Sequence, residues 1–282
     1  MRTLLTYIEL ARPLNGVIAF LSAWLGGIFA LGSTLNSFSE VKLLYVSIAS
    51  LLLLSAGNAI NDYCDYNIDC HNRPDRPLPS GRIRRRNALI FAITLIGLGM
   101  ALGVLVNLYA VYVAVLVSIL LVSYALILKR TPILGNLVVG LLTSLTFISG
   151  GIAVGSVRST IIPAIFAFFF TTAREIVKDL EDIEGDKREN VKTLANLNPR
   201  LAIIMTLSFM FCVIIFSPIP YLLGLYPWQY LVTIILGVDL VLICLGIQLV
   251  TNTSKDGYAK IQHWMKWDIF VGLGAIYLGI LY

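Results

Sequence analysis

Long apolar runs follow one another along the whole chain, and they fix its environment before any single residue is considered. Nine segments read as membrane spans of about 20 residues each: 14–32, 41–61, 88–106, 109–128, 133–155, 160–178, 201–223, 229–250 and 267–282. The 282 residues are 58% hydrophobic and only 13% charged, with mean hydropathy +0.85. That balance excludes a water-soluble globular domain. A backbone in lipid must satisfy its hydrogen bonds internally. The expected fold is therefore all-α: a polytopic bundle of about nine transmembrane helices, forming one membrane domain over residues 1–282.

Lys and Arg placement orients the bundle. With the N-terminus inside, the inner segments carry Arg2, Arg12, the Arg73 to Arg86 cluster, Lys129, Arg130, Arg174, Lys178, Lys187, Arg188, Lys192, Arg200, Lys255, Lys260 and Lys266, while the outer connections keep only Lys42 and Arg158. The expectation is a multi-pass cell-membrane protein with a cytoplasmic N-terminus and Tyr282 outside. The first run lacks a convincing small-residue cleavage site and reads as an uncleaved helix. Spans 1–4 and 5–8 match by position as a pseudo-repeat, followed by a final span. No CxxC pair or Cys/His metal cluster is present.

Against this apolar background two acidic ladders stand out. The first is Asn61-Asp62-Tyr63-Cys64-Asp65-Tyr66-Asn67-Ile68-Asp69, closing span 2; the second is Asp179-Leu180-Glu181-Asp182-Ile183-Glu184-Gly185-Asp186, closing span 6. At about 3.6 residues per turn, Asp62, Asp65 and Asp69 share one helix face, as do Asp179, Asp182 and Asp186 if the helix continues that far. Stacked carboxylates repel one another, so a cation must offset them, and oxygen-seeking Mg²⁺ is the candidate. An isolated Asp at a span end is ordinarily a solvated helix terminus. Two matching triplets point instead to metal and phosphate chemistry at a membrane surface.

Cationic residues lie close by in sequence. The segment from His71 to Arg82 has Pro74, Pro77 and Pro79, which remove backbone donors and disfavour helix; it reads as an ordered loop or a mobile lid. Its Arg73 and Arg76 read equally as bidentate diphosphate ligands or as positive-inside residues, and Arg84, Arg85 and Arg86 as headgroup anchors. Lys129 closes span 4, where it serves a diphosphate or complements the helix dipole. Arg174 falls within or just above the membrane, where an ionised group is usually functional. Glu175 shares the face of Asp179 or pairs with Lys178. Tyr124 is a candidate ring for stabilising positive charge in an apolar cavity. Asp239, midway along span 8, is a site residue or a buried polar contact.

These motifs resemble the UbiA superfamily of intramembrane prenyltransferases. The resemblance rests on Asn61-Asp62-x-x-Asp65-x-x-x-Asp69 leading into Arg73-Pro74-x-Arg76-Pro77-Leu78-Pro79-Ser80-Gly81, on Tyr124 with Lys129, and on Asp182-x-x-x-Asp186. It implies a nine-helix bundle, Mg²⁺-dependent ionisation of a prenyl diphosphate, and prenyl transfer to an acceptor. It assigns Asn61, Asp65 and Asp69 to one metal motif, and Asp182 and Asp186, with Asp179 nearby, to the other. Lys129 and the loop arginines would hold diphosphate, and Arg12-Pro13-x-Asn15 makes Asn15 a pocket candidate. The run from Arg174 through Lys178 to Asp186 and Leu194 is most similar to archaeal digeranylgeranylglyceryl phosphate synthases, which place a geranylgeranyl group on the free glycerol hydroxyl of geranylgeranylglyceryl phosphate. Expected partners are thus a prenyl diphosphate, a lipid acceptor and membrane lipids, with no nucleic acid.

Other readings fit less well. Chlorophyll synthases and aromatic prenyltransferases share the scaffold with other acceptors. A CDP-alcohol phosphotransferase should carry Asp-Gly-x-x-Ala-Arg, which is absent. A cation or proton transporter should place its acids near the midplane, whereas the six ladder aspartates cluster at one surface.

Overall fold

Every long apolar run forms a helix, the conformation that satisfies its own backbone in lipid. The computed structural model describes residues 2–31, 37–188 and 191–281, and among these there is no strand. The helices are α1 (Arg2–Ala11), α2 (Pro13–Leu31), α3 (Ser37–Cys64), α4 (Tyr66–Asn72), α5 (Arg85–Val106), α6 (Leu108–Leu126), α7 (Leu134–Val154), α8 (Ile161–Glu181), α9 (Ile183–Arg188), α10 (Leu194–Leu197), α11 (Pro199–Phe216), α12 (Ile219–Leu222), α13 (Trp228–Thr233), α14 (Leu240–Thr251) and α15 (Lys255–Leu281). A π-helical turn, Ile234–Asp239, joins α13 to α14. Among the described residues, eight stretches are long and apolar enough to cross a membrane. The ninth expected span lies within α15, whose first half carries Lys255, Asp256, Lys260, Lys266 and Asp268 and so falls outside those eight. Tyr282 lies outside the described residues.

The chain divides into two compact units, Met1–Leu128 with Leu145–Thr160, and Lys129–Ser144 with Ile161–Tyr282. In the first unit α3 packs against α2, α5 and α6. One core cluster gathers Leu10, Ala59, Ile60, Ala88, Ala92 and Ala125 around Leu78 and Ile83 of the proline-rich loop. Burying those two side chains pins the loop to the helix bundle. A Cβ on Gly26 would overlap the Phe147 carbonyl, and one on Gly150 would overlap that of Ala23. Here α2 and residues 145–154 of α7 cross backbone to backbone, as small residues permit in membrane helices. Asn107 alone links α5 to α6, its side chain accepting from the Ala110 N–H as an N-cap while its Nδ2 donates to the Ile152 carbonyl at 3.0 Å.

In the second unit α8 packs against α11 and α15. Pro199 opens α11 behind the N-cap Asn198, whose side chain accepts from Leu201 N–H. Outward faces in both units are apolar. Tyr109, Ile119 and Val104 in the first and Ile204, Phe211 and Ile247 in the second are exposed, as lipid-facing positions should be.

Candidate functional site

The first acidic ladder does not lie on one continuous helix. Helix α3 ends at Cys64 and α4 begins at Tyr66, with Asp65 between them at φ −88° and ψ 8°. Hydrogen bonding still runs through the break, Asp65 N–H donating to Asn61 O and Asp69 N–H to Asp65 O, both at 2.8 Å. Arg85 braces the junction, its guanidinium 4.9 Å from the Tyr63 ring centre and 4.8 Å from that of Tyr66. Tyr63 and Tyr66 give it a cation–π clamp, so Arg85 is a local tie rather than a simple headgroup anchor.

Asp62 and Asp69 are buried, at 3% and 4% exposure. Burying two carboxylates is costly unless they are paired, and the pairing comes from arginines. Arg12 Nη2 lies 2.5 Å from Asp62 Oδ1, and Arg76 Nη1 lies 2.6 Å from Asp69 Oδ2 and 3.4 Å from Asp62 Oδ1. Sequence reasoning assigned the offsetting charge to Mg²⁺ alone; guanidinium groups supply it here. Among the described residues, no three His, Cys, Asp or Glu side chains converge as a ready-made metal cluster. The amide oxygen of Asn61 is buried beside this pair without a hydrogen-bond partner. Buried carboxylates and an orphaned amide oxygen are the hard donors that Mg²⁺ selects, so the donor chemistry fits that ion.

The proline-rich segment is an ordered loop. Ser80 N–H donates to Arg76 O at 3.0 Å, and Ile83 N–H to Pro77 O at 3.1 Å. Arg82 forks onto Glu9 of α1 at 2.5 and 2.9 Å, and that guanidinium holds the Glu9 carboxyl below the usual carboxylate range. Arg73 is exposed beside α4, whereas Arg76 points inward to the acids. Asn15 is half-buried in the first turns of α2, and Tyr124 half-buried near the end of α6.

In the second unit the other ladder is also broken. Helix α8 ends at Glu181 and α9 begins at Ile183, leaving Asp182 at the junction with its N–H on Lys178 O at 3.0 Å. The helix therefore does not continue unbroken from Asp179 to Asp186. Asn136 Nδ2 donates to Asp179 Oδ2 at 2.8 Å. Glu175 is buried and flanked by Arg174 Nη1 at 3.2 Å and Lys178 Nζ at 3.1 Å. Those two cations are thus engaged with Glu175. Lys129 is half-buried in the 3₁₀ turn Leu128–Arg130. Asp186 is on α9, but its side chain lies outside the described residues.

Two side chains bonded to the ladder acids, Arg12 and Asn136, were not among the expected site members. Arg12 adopts a left-handed backbone, φ 53°, which is uncommon for a residue with a side chain and disfavoured further before Pro13. Asn58 Nδ2 helps hold this corner by donating to Ala11 O at 3.1 Å, and the guanidinium is thereby delivered to Asp62. The Arg12-Pro13 pair was the available signal. Asn136, which orients Asp179, carried none.

A model of the UbiA prenyltransferase family matches residues 19–270. A digeranylgeranylglyceryl phosphate synthase of Methanosphaera stadtmanae is 36% identical over 276 residues, 98% of this chain and 99% of that protein. Among solved structures, one of digeranylgeranylglyceryl phosphate synthase superposes with a TM-score of 0.81 at 32% identity, over 100% of this chain and 99% of that one. A UbiA homologue from Archaeoglobus fulgidus, bound to GPP and Mg²⁺, superposes with a TM-score of 0.70 at 18% identity, over 96% of this chain and 99% of that one; at that identity the likeness is one of fold. With acidic motifs, cationic loop and helix order all in agreement, this chain belongs to the UbiA prenyltransferase family.

Proposed function

We propose that the protein transfers a geranylgeranyl group from geranylgeranyl diphosphate to geranylgeranylglyceryl phosphate, releasing diphosphate. The observation that carries this reading is the interleaving of buried Asp62 and Asp69 with Arg12 and Arg76 beside the unpartnered Asn61 oxygen. Hard anionic donors alternating with guanidinium forks are what a metal-bound diphosphate requires. The 36% identity to a protein bearing the synthase name supports the acceptor.

Asn61, Asp62, Asp65 and Asp69 would hold Mg²⁺ in one motif, and Asp179, Asp182 and Asp186 in the other. Mg²⁺, when bound, neutralises the diphosphate and so weakens its bond to the allylic carbon. Arg73 and Arg76 of the first unit and Lys129 of the second would bind diphosphate oxygens, and Arg174 and Lys178 are further cationic candidates in the second unit. Tyr124 offers a ring face to positive charge on the prenyl carbon, and Asn15 lines the pocket. As the C1–O bond to diphosphate breaks, the acceptor hydroxyl oxygen bonds to C1 and releases its proton. The Lys and Arg distribution supports a cytoplasmic N-terminus and site, with the C-terminus outside.

The test is incubation of purified protein, Mg²⁺ and labelled geranylgeranyl diphosphate with a panel of acceptors. Product with geranylgeranylglyceryl phosphate is expected, and product from a phenolic acceptor alone overturns the reading. Asp65→Ala and Asp182→Ala should each abolish turnover in protein that remains folded.

A further inference from the structure

The second unit buries acids that the ladder chemistry does not use. Asp239 and Asp268 are 5% and 4% exposed. Asp239 closes the π-helical turn, about halfway along the apolar run Trp228–Thr251. Asp268 lies on α15, which packs against that turn. The approach is close: a Cβ on Gly237 would overlap Val271, one helical turn from Asp268, and Gly272 sits beside Val238. The two carboxylates occupy one interior and act on each other electrostatically.

Their hydrogen bonding is incomplete. Ser217 Oγ donates to Asp239 Oδ2 at 2.6 Å, and Tyr230 Oη donates to the Ser217 carbonyl at 2.8 Å. Asp239 Oδ1 and both carboxyl oxygens of Asp268 are buried with no partner. Tyr226 and Tyr230, ring centres 4.7 Å apart, are the neighbouring titratable side chains from α13 and the turn before it, and neither brings a positive charge. Among the described residues no Lys, Arg or His pairs with either acid. An ionised carboxylate in such surroundings demands a compensating cation.

Three buried carboxyl oxygens without a partner, one on Asp239 and two on Asp268, offer ligands to such a cation. Secondary transporters coordinate Na⁺ near the bilayer midplane where helix backbone is interrupted, and π-turns are frequent at functional positions. Divalent ions fit poorly, because Ca²⁺ takes six to eight oxygens and Mg²⁺ keeps its waters, while no third His, Cys, Asp or Glu joins this pair among the described residues. The geometry points to a monovalent-cation site in which Asp239, Asp268 and Ser217 Oγ hold one sodium-sized ion and tie the π-turn to α15, one of the two acids keeping its proton so that the site is neutral.

The experiment is thermal unfolding of the purified full chain in detergent with EDTA, exchanging choline chloride for sodium chloride at constant ionic strength. Saturable stabilisation by sodium is expected, by a few degrees for each tenfold increase above half-saturation. Asp268→Asn and Asp239→Asn should each flatten that response. Equal Tm in sodium and choline, or a sodium response surviving in the double variant, overturns the proposal. Should the variants fail to fold, equilibrium binding of radioactive sodium to the unaltered protein decides: one ion per chain supports the site, and none refutes it.

Discussion

Arg76 reaches Asp69 at 2.6 Å and Asp62 at 3.4 Å from a loop held down by Leu78 and Ile83. Replacing it leaves two buried carboxylates short of charge. Arg76→Ala should therefore lower stability by about 3–5 kcal/mol, the range for breaking a buried pair, and weaken prenyl diphosphate binding; Arg76→Lys should recover part of the stability but little of the binding, since an ammonium lacks the fork. Denaturation curves and ligand titration of both variants check this. The acids themselves were legible because a carboxylate in an apolar chain stands out. Their partners were not, since Arg12 lies 50 residues from Asp62 and Asn136 lies 43 from Asp179, distances at which no local pattern operates. Asp268 was hidden for another reason: it sits in the charged start of a helix whose expected span begins beside it.

Helix existence and length were readable from hydropathy, and the observed α2, α5 and α6 agree with the expected spans to within three residues. The interruptions were not. Both acidic helices break at the middle aspartate of their ladder, Asp65 and Asp182, where a 3.6-residue period continues undisturbed in sequence. The π-turn before Leu240 was equally invisible, because an extra residue in a uniformly apolar run leaves no gap in the pattern. Packing at this scale is testable with paired glycines. Gly150→Leu drives a side chain into the Ala23 carbonyl, whereas a Cβ on Gly97 meets nothing within 4 Å. The first should cost about 1–3 kcal/mol or more, and Gly97→Leu should be neutral or mildly stabilising; melting temperatures of the two variants compare them directly.

At the scale of the whole molecule, the expected orientation rests on charge alone. In a cysteine-free background, Ser80→Cys should react with an impermeant thiol reagent only from the cytoplasmic side, and Arg158→Cys only from the opposite one; the reverse pattern would invert the topology. The division into two units was not legible, because α7 is a single apolar run contributing to both. Within the first unit, the place where Gly26 and Gly150 let α2 and α7 meet is a sealed wall. No hydrocarbon of isoprenoid width slides between carbonyls already in touch with a facing Cα. Whatever greasy tail the first unit shelters has to run along some other flank of α2.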